Sequence, residues 1–142
     1  TAARSKTPFP ASTDLEQALL PILADAGFVH HHRLRHPATG DEFEYDFWHP
    51  TDGVAVEVMG YRADDEIYKD LLKFHVHDGT QLGVVLVPRW KWVGGRRTDT
   101  NYRAVVKALS FAAHYLDVRG LIQLTYDWVD DGPNSWRLVY IE

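Results

Sequence analysis

The sequence predicts a mixed α/β domain, in the order α-βββ-α-β-α-ββ, with helices flanking a mixed central sheet. Three observations carry this. Residues 28–36 and 42–49 alternate apolar and polar side chains around the turn Pro37–Gly40, as a β-hairpin does. Residues 82–88, LGVVLVP, form a short unbroken apolar run between Gly and Pro signals, as in a central strand covered on both faces. Three longer segments of helical character separate the strands. The 142 residues, 45% of them apolar, suffice for one domain with a real core.

Taken in order, residues 1–11 read as a loose arm with two prolines and two bases, and 12–142 as a single domain. Thr13 and Glu16 have capping-box spacing and start a helix that runs to about Ala26, with a kink expected at Pro21 and a stop at Gly27. After the hairpin, a turn near Thr51–Gly53 leads to a third strand at 53–60, GVAVEVMG. Asp64 and Asp65 open a helix at 66–78, where acids suit the helix dipole. Residues 89–98 read as a basic loop bearing Trp90 and Trp92. A third helix at 100–116 has Val105, Val106, Leu109, Ala112, Ala113 and Leu116 on its apolar side. Strands near 121–129 and 136–141, joined by the turn at 130–135, close the chain.

Composition narrows the class. There is no Cys, which excludes a disulfide framework and thiolate zinc sites and fits a reducing, cytoplasmic compartment. No apolar run approaches the ~20 residues that span a bilayer, and no charged-then-apolar leader opens the chain, so neither membrane insertion nor secretion is expected. The net charge of −5 is unevenly spread. Residues 89–107 hold six bases (Arg89, Lys91, Arg96, Arg97, Arg103, Lys107) against Asp99, and residues 41–66 hold nine acids against Arg62. Such a division suits a protein that holds cations beside a polyanion.

The acids include one pair with chemistry. If the turn is centred between Thr51 and Asp52, Asp46 lies directly opposite Glu57; if it is Asp52–Gly53, they are diagonal neighbours. Period-two alternation puts both on one face, with Glu44 two residues back. Like charges so placed destabilise a sheet unless a cation sits between them, and carboxylate oxygens suit Mg²⁺. A solvated outer face with incidental acids is the competing reading. Against it, Glu57 interrupts an otherwise apolar strand, where an unpaired charge is costly. On the following helix Lys69, Asp70, Lys73 and His77 form one narrow polar stripe. That stripe either faces water or delivers Lys73 or Lys69 to the carboxylates, where an ammonium can steady charge building on a phosphate.

Together, Asp46, ten intervening residues, Glu57-Val58-Met59, then YKDLLKFH and LGVVLVPR resemble the core of the PD-(D/E)XK nucleases, most of all type II restriction endonucleases. The likeness covers about residues 13–116. It implies a restriction-endonuclease-like core, Mg²⁺ or Mn²⁺ as cofactor, and hydrolysis of phosphodiester bonds in DNA. It makes Asp46 and Glu57 the metal ligands, with Glu16 of the first helix as a further candidate; Glu44 is a candidate by its place on the strand face. Two positions depart from the motif: Tyr45 replaces Pro, and Met59 replaces Lys, a role that Lys73 or Lys69 can take. The alternative is a nuclease-like fold without catalysis that binds nucleic acid or protein. A homodimer or a place in a larger assembly fits either reading.

Two further groups stand out. His30 and His32 are expected to share a face and can bind a transition metal, without a clear third ligand; a solvated strand is the plainer account. His75 and His77 point apart on their helix. RWKWVGGRR (89–97) joins bases that attract phosphate to Trp rings that stack on nucleobases, which makes Arg89, Lys91, Arg96 and Arg97 candidate DNA contacts. A loop whose Trp residues pack on the domain is the alternative.

Overall fold

A computed structural model describes residues 10, 12–59, 64–93, 95–116, 120–130 and 136–140. The rest of the expected N-terminal arm, the side chain of Thr13 and the turn after residue 130 lie outside the described residues. The elements are α1 (Ser12–Asp25), β1 (Val29–Arg35), β2 (Glu42–His49), β3 (Val54–Val58), α2 (Asp64–Val76), β4 (Leu82–Pro88), β5 (Lys91–Val93), β6 (Arg96–Thr98), α3 (Thr100–Tyr115), β7 (Leu121–Asp130) and β8 (Trp136–Tyr140). The fold is α+β, and among the described residues three helices lie around a mixed six-stranded sheet of order β1-β2-β3-β4-β7-β8. β3, β4 and β7 run parallel, and the remaining neighbours are antiparallel. No helix among the described residues is long and apolar enough to cross a membrane.

Each face of the sheet is sealed by helix. On one side Ile67, Leu71 and Phe74 of α2 and Val105, Ala108, Leu109 and Ala112 of α3 pack on Tyr45, Trp48, Ala55, Val85 and Val87. On the other, Leu15 of α1 packs with Phe47, Val56, Val58, Tyr126 and Trp128. Both parallel crossovers, β3-α2-β4 and β4-α3-β7, therefore place their helices on one side, as crossovers of one hand in one direction must. β4 lies between the two layers, which explains its unbroken apolar run.

Two expectations change. Residues 91–93 and 96–98 are not loop but the antiparallel hairpin β5–β6, with Gly95 at φ +76° in its turn. Gly94–Gly95 between short segments is itself a hairpin signal. On α3 the buried stripe is Val105, Ala108, Leu109 and Ala112, while Val106 and Ala113 are exposed. Val106 instead lines an outer groove of about 610 Å³ with Phe111 and Tyr115.

The seat of α2 on β4 is tight at one point. A Cβ on Gly83 would lie 2.5 Å from the Phe74 ring, which is buried in the core. Gly83→Ala is therefore expected to lower stability by roughly 1–3 kcal/mol through overpacking. Urea unfolding measures this, and an unchanged midpoint would mean that α2 yields freely.

Candidate metal and nucleic-acid site

β2 and β3 pair Phe47 with Val56, Trp48 with Ala55 and His49 with Val54. Continued by one step, this register sets Asp46 opposite Glu57, the closer of the two arrangements expected. The regular ladder stops there. The amide of Val58 donates to the Asp46 carboxylate, 2.7 Å to Oδ2, so a side chain takes a donor that sheet pairing would otherwise use.

Along β3, Ala55 and Met59 belong to the α2–α3 layer and Val56 and Val58 to the α1 layer. Glu57 therefore faces α2. It is only 2% exposed. Lys73 of α2 meets it, with Nζ 3.5 Å from Glu57 Oε1 and 2.9 Å from Asp70 Oδ1. The same ammonium donates to the carbonyl of Glu44 at 2.9 Å. Glu57 Oε1 accepts no hydrogen bond, although it is buried.

Tyr45, which precedes Asp46 on β2, is fully buried. Its hydroxyl donates to the carbonyl of Lys73 at 3.0 Å and pairs with Thr80 at 2.8 Å. Tyr45 thus ties the end of α2 to β2 and fixes where Lys73 begins. Met59 is buried in the α2–α3 layer at 3% exposure, so it presents no cation to the site.

The electrostatics follow from burial. Desolvation raises the Asp46 carboxyl to about 6, and Glu16 and Asp70 add to the shift, against the Val58 amide and Lys73. Glu57 is pushed well above the carboxylate range by burial first, then by Asp46 and Asp70. Burial pulls Lys73 down, but Glu57, Asp70 and Asp46 outweigh it and hold the ammonium above its ordinary value. Three acids and one base therefore share a poorly solvated space with excess negative charge. That is the setting in which a divalent cation fits, and the donors are hard oxygens.

Of the two lysines, Lys73 reaches the carboxylates and Lys69 lies exposed on α2. Asp70 is legible in the sequence only as part of the polar stripe and joins the site through Lys73. Its position three residues before Lys73, on the same helical face, is the available signal. Glu44 departs from expectation. Its carboxylate is 42% exposed and pairs with Arg33 at 3.8 Å and His31 at 3.9 Å, so only its carbonyl serves the site. Glu16 lies near enough to Asp46 to raise its carboxyl, and it also meets two histidines. α1 begins at Ser12, and the Glu16 carboxylate accepts from His30 at 3.1 Å and His31 at 3.0 Å.

Both placements trace to a break in strand alternation. Tyr45 and Trp48 lie in the α2–α3 layer while Phe47 lies in the α1 layer, so β2 turns over between Tyr45 and Phe47. β1 turns over beside it. His30 stacks on Phe47 at 4.8 Å and His32 on Trp48 at 6.1 Å, so these two do not share a face. Between them His31 has φ +54°, and the β1–β2 pairing skips it, at the position across from Asp46. Irregular strand backbone that re-aims side chains is common beside active sites.

The basic segment divides. Arg89 is packed between Trp90 (4.1 Å to the ring centre) and Tyr102 (4.6 Å), and lies 3.7 Å from Asp99. It holds the base of the hairpin to α3 and keeps 29% of its side chain exposed. Lys91 is half-buried, and Arg96 and Arg97 are exposed on β6. Glu57 pairs in register with Val85, three residues before Pro88 ends β4. The basic hairpin thus leaves the sheet at the carboxyl end of the strands, the end near which Glu57 lies, where ligands gather in open α/β sheets.

Comparison with protein-family models, curated proteins and solved structures finds no match to this chain.

Proposed function

We propose that this chain is a Mg²⁺- or Mn²⁺-dependent endodeoxyribonuclease of restriction type, with a restriction-endonuclease-like core of the PD-(D/E)XK kind. The observation that carries the reading is Glu57: a buried carboxylate with an oxygen lacking any hydrogen bond, opposite a second, half-buried carboxylate and 3.5 Å from an ammonium. Structural ion pairs seldom leave such an oxygen unsatisfied. The oxygens of Asp46 and Glu57 would hold the cation, which when bound polarises a phosphoryl oxygen and acidifies a water. Lys73 keeps a charged ammonium beside them, held by Asp70, and counters charge that builds on the phosphate. In this reading Lys73 takes the role left open by Met59. Arg96 and Arg97 bind the DNA backbone and set its register without reading sequence.

Incubation of supercoiled plasmid with Mg²⁺ or Mn²⁺ should give nicked and linear product, and chelation should stop it. If neither ion supports cleavage, the catalytic reading fails. The chain would then be a binding module, the role that a buried Met59 in place of the motif lysine favours. Arg96→Glu with Arg97→Glu should weaken DNA binding, more at low salt than at high salt. For each phosphate that the protein no longer neutralises, the slope of log affinity against log salt should flatten by about 0.9 for duplex DNA. An unchanged slope would remove the hairpin from the DNA interface.

A further inference from the structure

We propose that Glu16, His30 and His31 form a binding site for a divalent transition-metal ion of the Zn²⁺ type. Glu16 Oε1 lies 3.1 Å from His30 Nε2 and 3.0 Å from His31 Nε2, and the three ligand atoms all fall within 4.8 Å of one another. Tetrahedral zinc with bonds of about 2.0–2.1 Å needs donors roughly 3.4 Å apart, so modest side-chain shifts close the set on an ion. Two imidazole nitrogens and one carboxylate are a known zinc donor set that leaves a fourth position open. Imidazole also selects Zn²⁺, Co²⁺ or Ni²⁺ over Mg²⁺, which sets this cluster apart from the all-oxygen pair at Asp46 and Glu57.

The cluster is built into the fold. Consecutive strand residues normally point to opposite faces. Here the left-handed backbone of His31 brings its ring beside that of His30, with centroids 3.7 Å apart, and both meet the same carboxylate. His30 is fixed by stacking on the buried Phe47 ring, and Glu16 is carried on α1, whose Leu15 is buried in the core. Glu16 and His30 are 12% and 19% exposed and His31 is 52% exposed, so the open side of the site faces solvent. The site stands independently of the nuclease reading.

The test is calorimetric titration of the metal-free full chain with Zn²⁺, and of its absorption spectrum with Co²⁺. One equivalent should bind, millimolar Mg²⁺ should not compete, and Asp46→Asn should retain uptake. His31→Gly removes one ligand at an exposed position whose φ suits glycine, so the fold should persist. Its affinity should fall at least about 100-fold, more than loss of an outer-shell partner costs. Glu16→Gln should weaken uptake likewise. Equal uptake by His31→Gly and the parent, no saturable uptake by the parent, or loss of uptake in Asp46→Asn but not in His31→Gly would each overturn the proposal. The first and last of these would place the ion elsewhere, while no uptake would leave the histidines as ion-pair partners of Glu16.

Discussion

Asp46→Asn and Glu57→Gln should each reduce metal-dependent cleavage on the order of a thousandfold or more, since the bound cation supplies several kcal/mol of transition-state stabilisation. The same substitutions should stabilise the metal-free protein at neutral pH. Asp46 has its carboxyl raised from 3.8 to about 6 in the fold, chiefly by burial. Below about pH 4 both folded and unfolded chains hold that proton, and nothing is lost. As the pH rises from about 4 through 6, the unfolded chain releases the proton first and the folded state loses relative stability. By pH 7 the loss from Asp46 is on the order of 3 kcal/mol. Glu57, raised for the same reasons, adds to it in the same direction. An amide carries no such penalty and retains an oxygen that can accept from the Val58 amide. Urea unfolding at pH 4.5 and 7.5 should show a steeper decline for the parent than for Asp46→Asn. Mg²⁺ should restore more stability to the parent, because a ligand stabilises the state that binds it. Parallel pH slopes would mean that Asp46 is not held in a poorly solvated position.

Lys73→Met should lower stability at pH 8 by roughly 3–5 kcal/mol, the usual cost of stripping one partner from a buried ion pair. Its ammonium is 19% exposed and faces Glu57 at 3% and Asp70 at 16%. Removing it leaves those carboxylates together without a cation. Lys73 is held above its ordinary value of 10.5, so it stays charged at pH 8 and this ammonium's contribution is lost only as the pH rises above 10.5. The penalty of Lys73→Met should shrink toward pH 5, as the carboxylates left behind take up protons. Lys69→Met, on the exposed side of α2, should stay within about 0.5 kcal/mol of the parent. Equal losses for the two variants would mean that the stripe on α2 is a solvated face after all. Cleavage should fall in Lys73→Met and persist in Lys69→Met.

Much of this could be read along the chain. Period-two alternation and the Pro37–Gly40 turn located β1 and β2, and the apolar run at 82–88 located β4, because such signals are encoded within a few residues. The turn after His49 set the register that brings Asp46 opposite Glu57, and one charged residue in an apolar strand marked Glu57 as buried. The remaining features depend on residues distant in sequence. Alternation puts Glu44 on one face with Asp46, and His30 on one face with His32. Packing in two layers instead turns β1 and β2 over at His31 and Asp46, sends His30 to Phe47 and His32 to Trp48, and gathers His30 and His31 on Glu16. The polar stripe of α2 could not say which lysine points inward. That follows from where Tyr45 grips the helix and Phe74 meets Gly83. Nor could charge separate Arg89 from Arg96 and Arg97, since a guanidinium serves equally to bind phosphate or to stack on rings, and it is the nearness of Tyr102 and Asp99 that ties Arg89 to α3. Local periodicity fixes which element forms, whereas the side on which a polar group ends depends on which layer covers it and on the partners that layer brings.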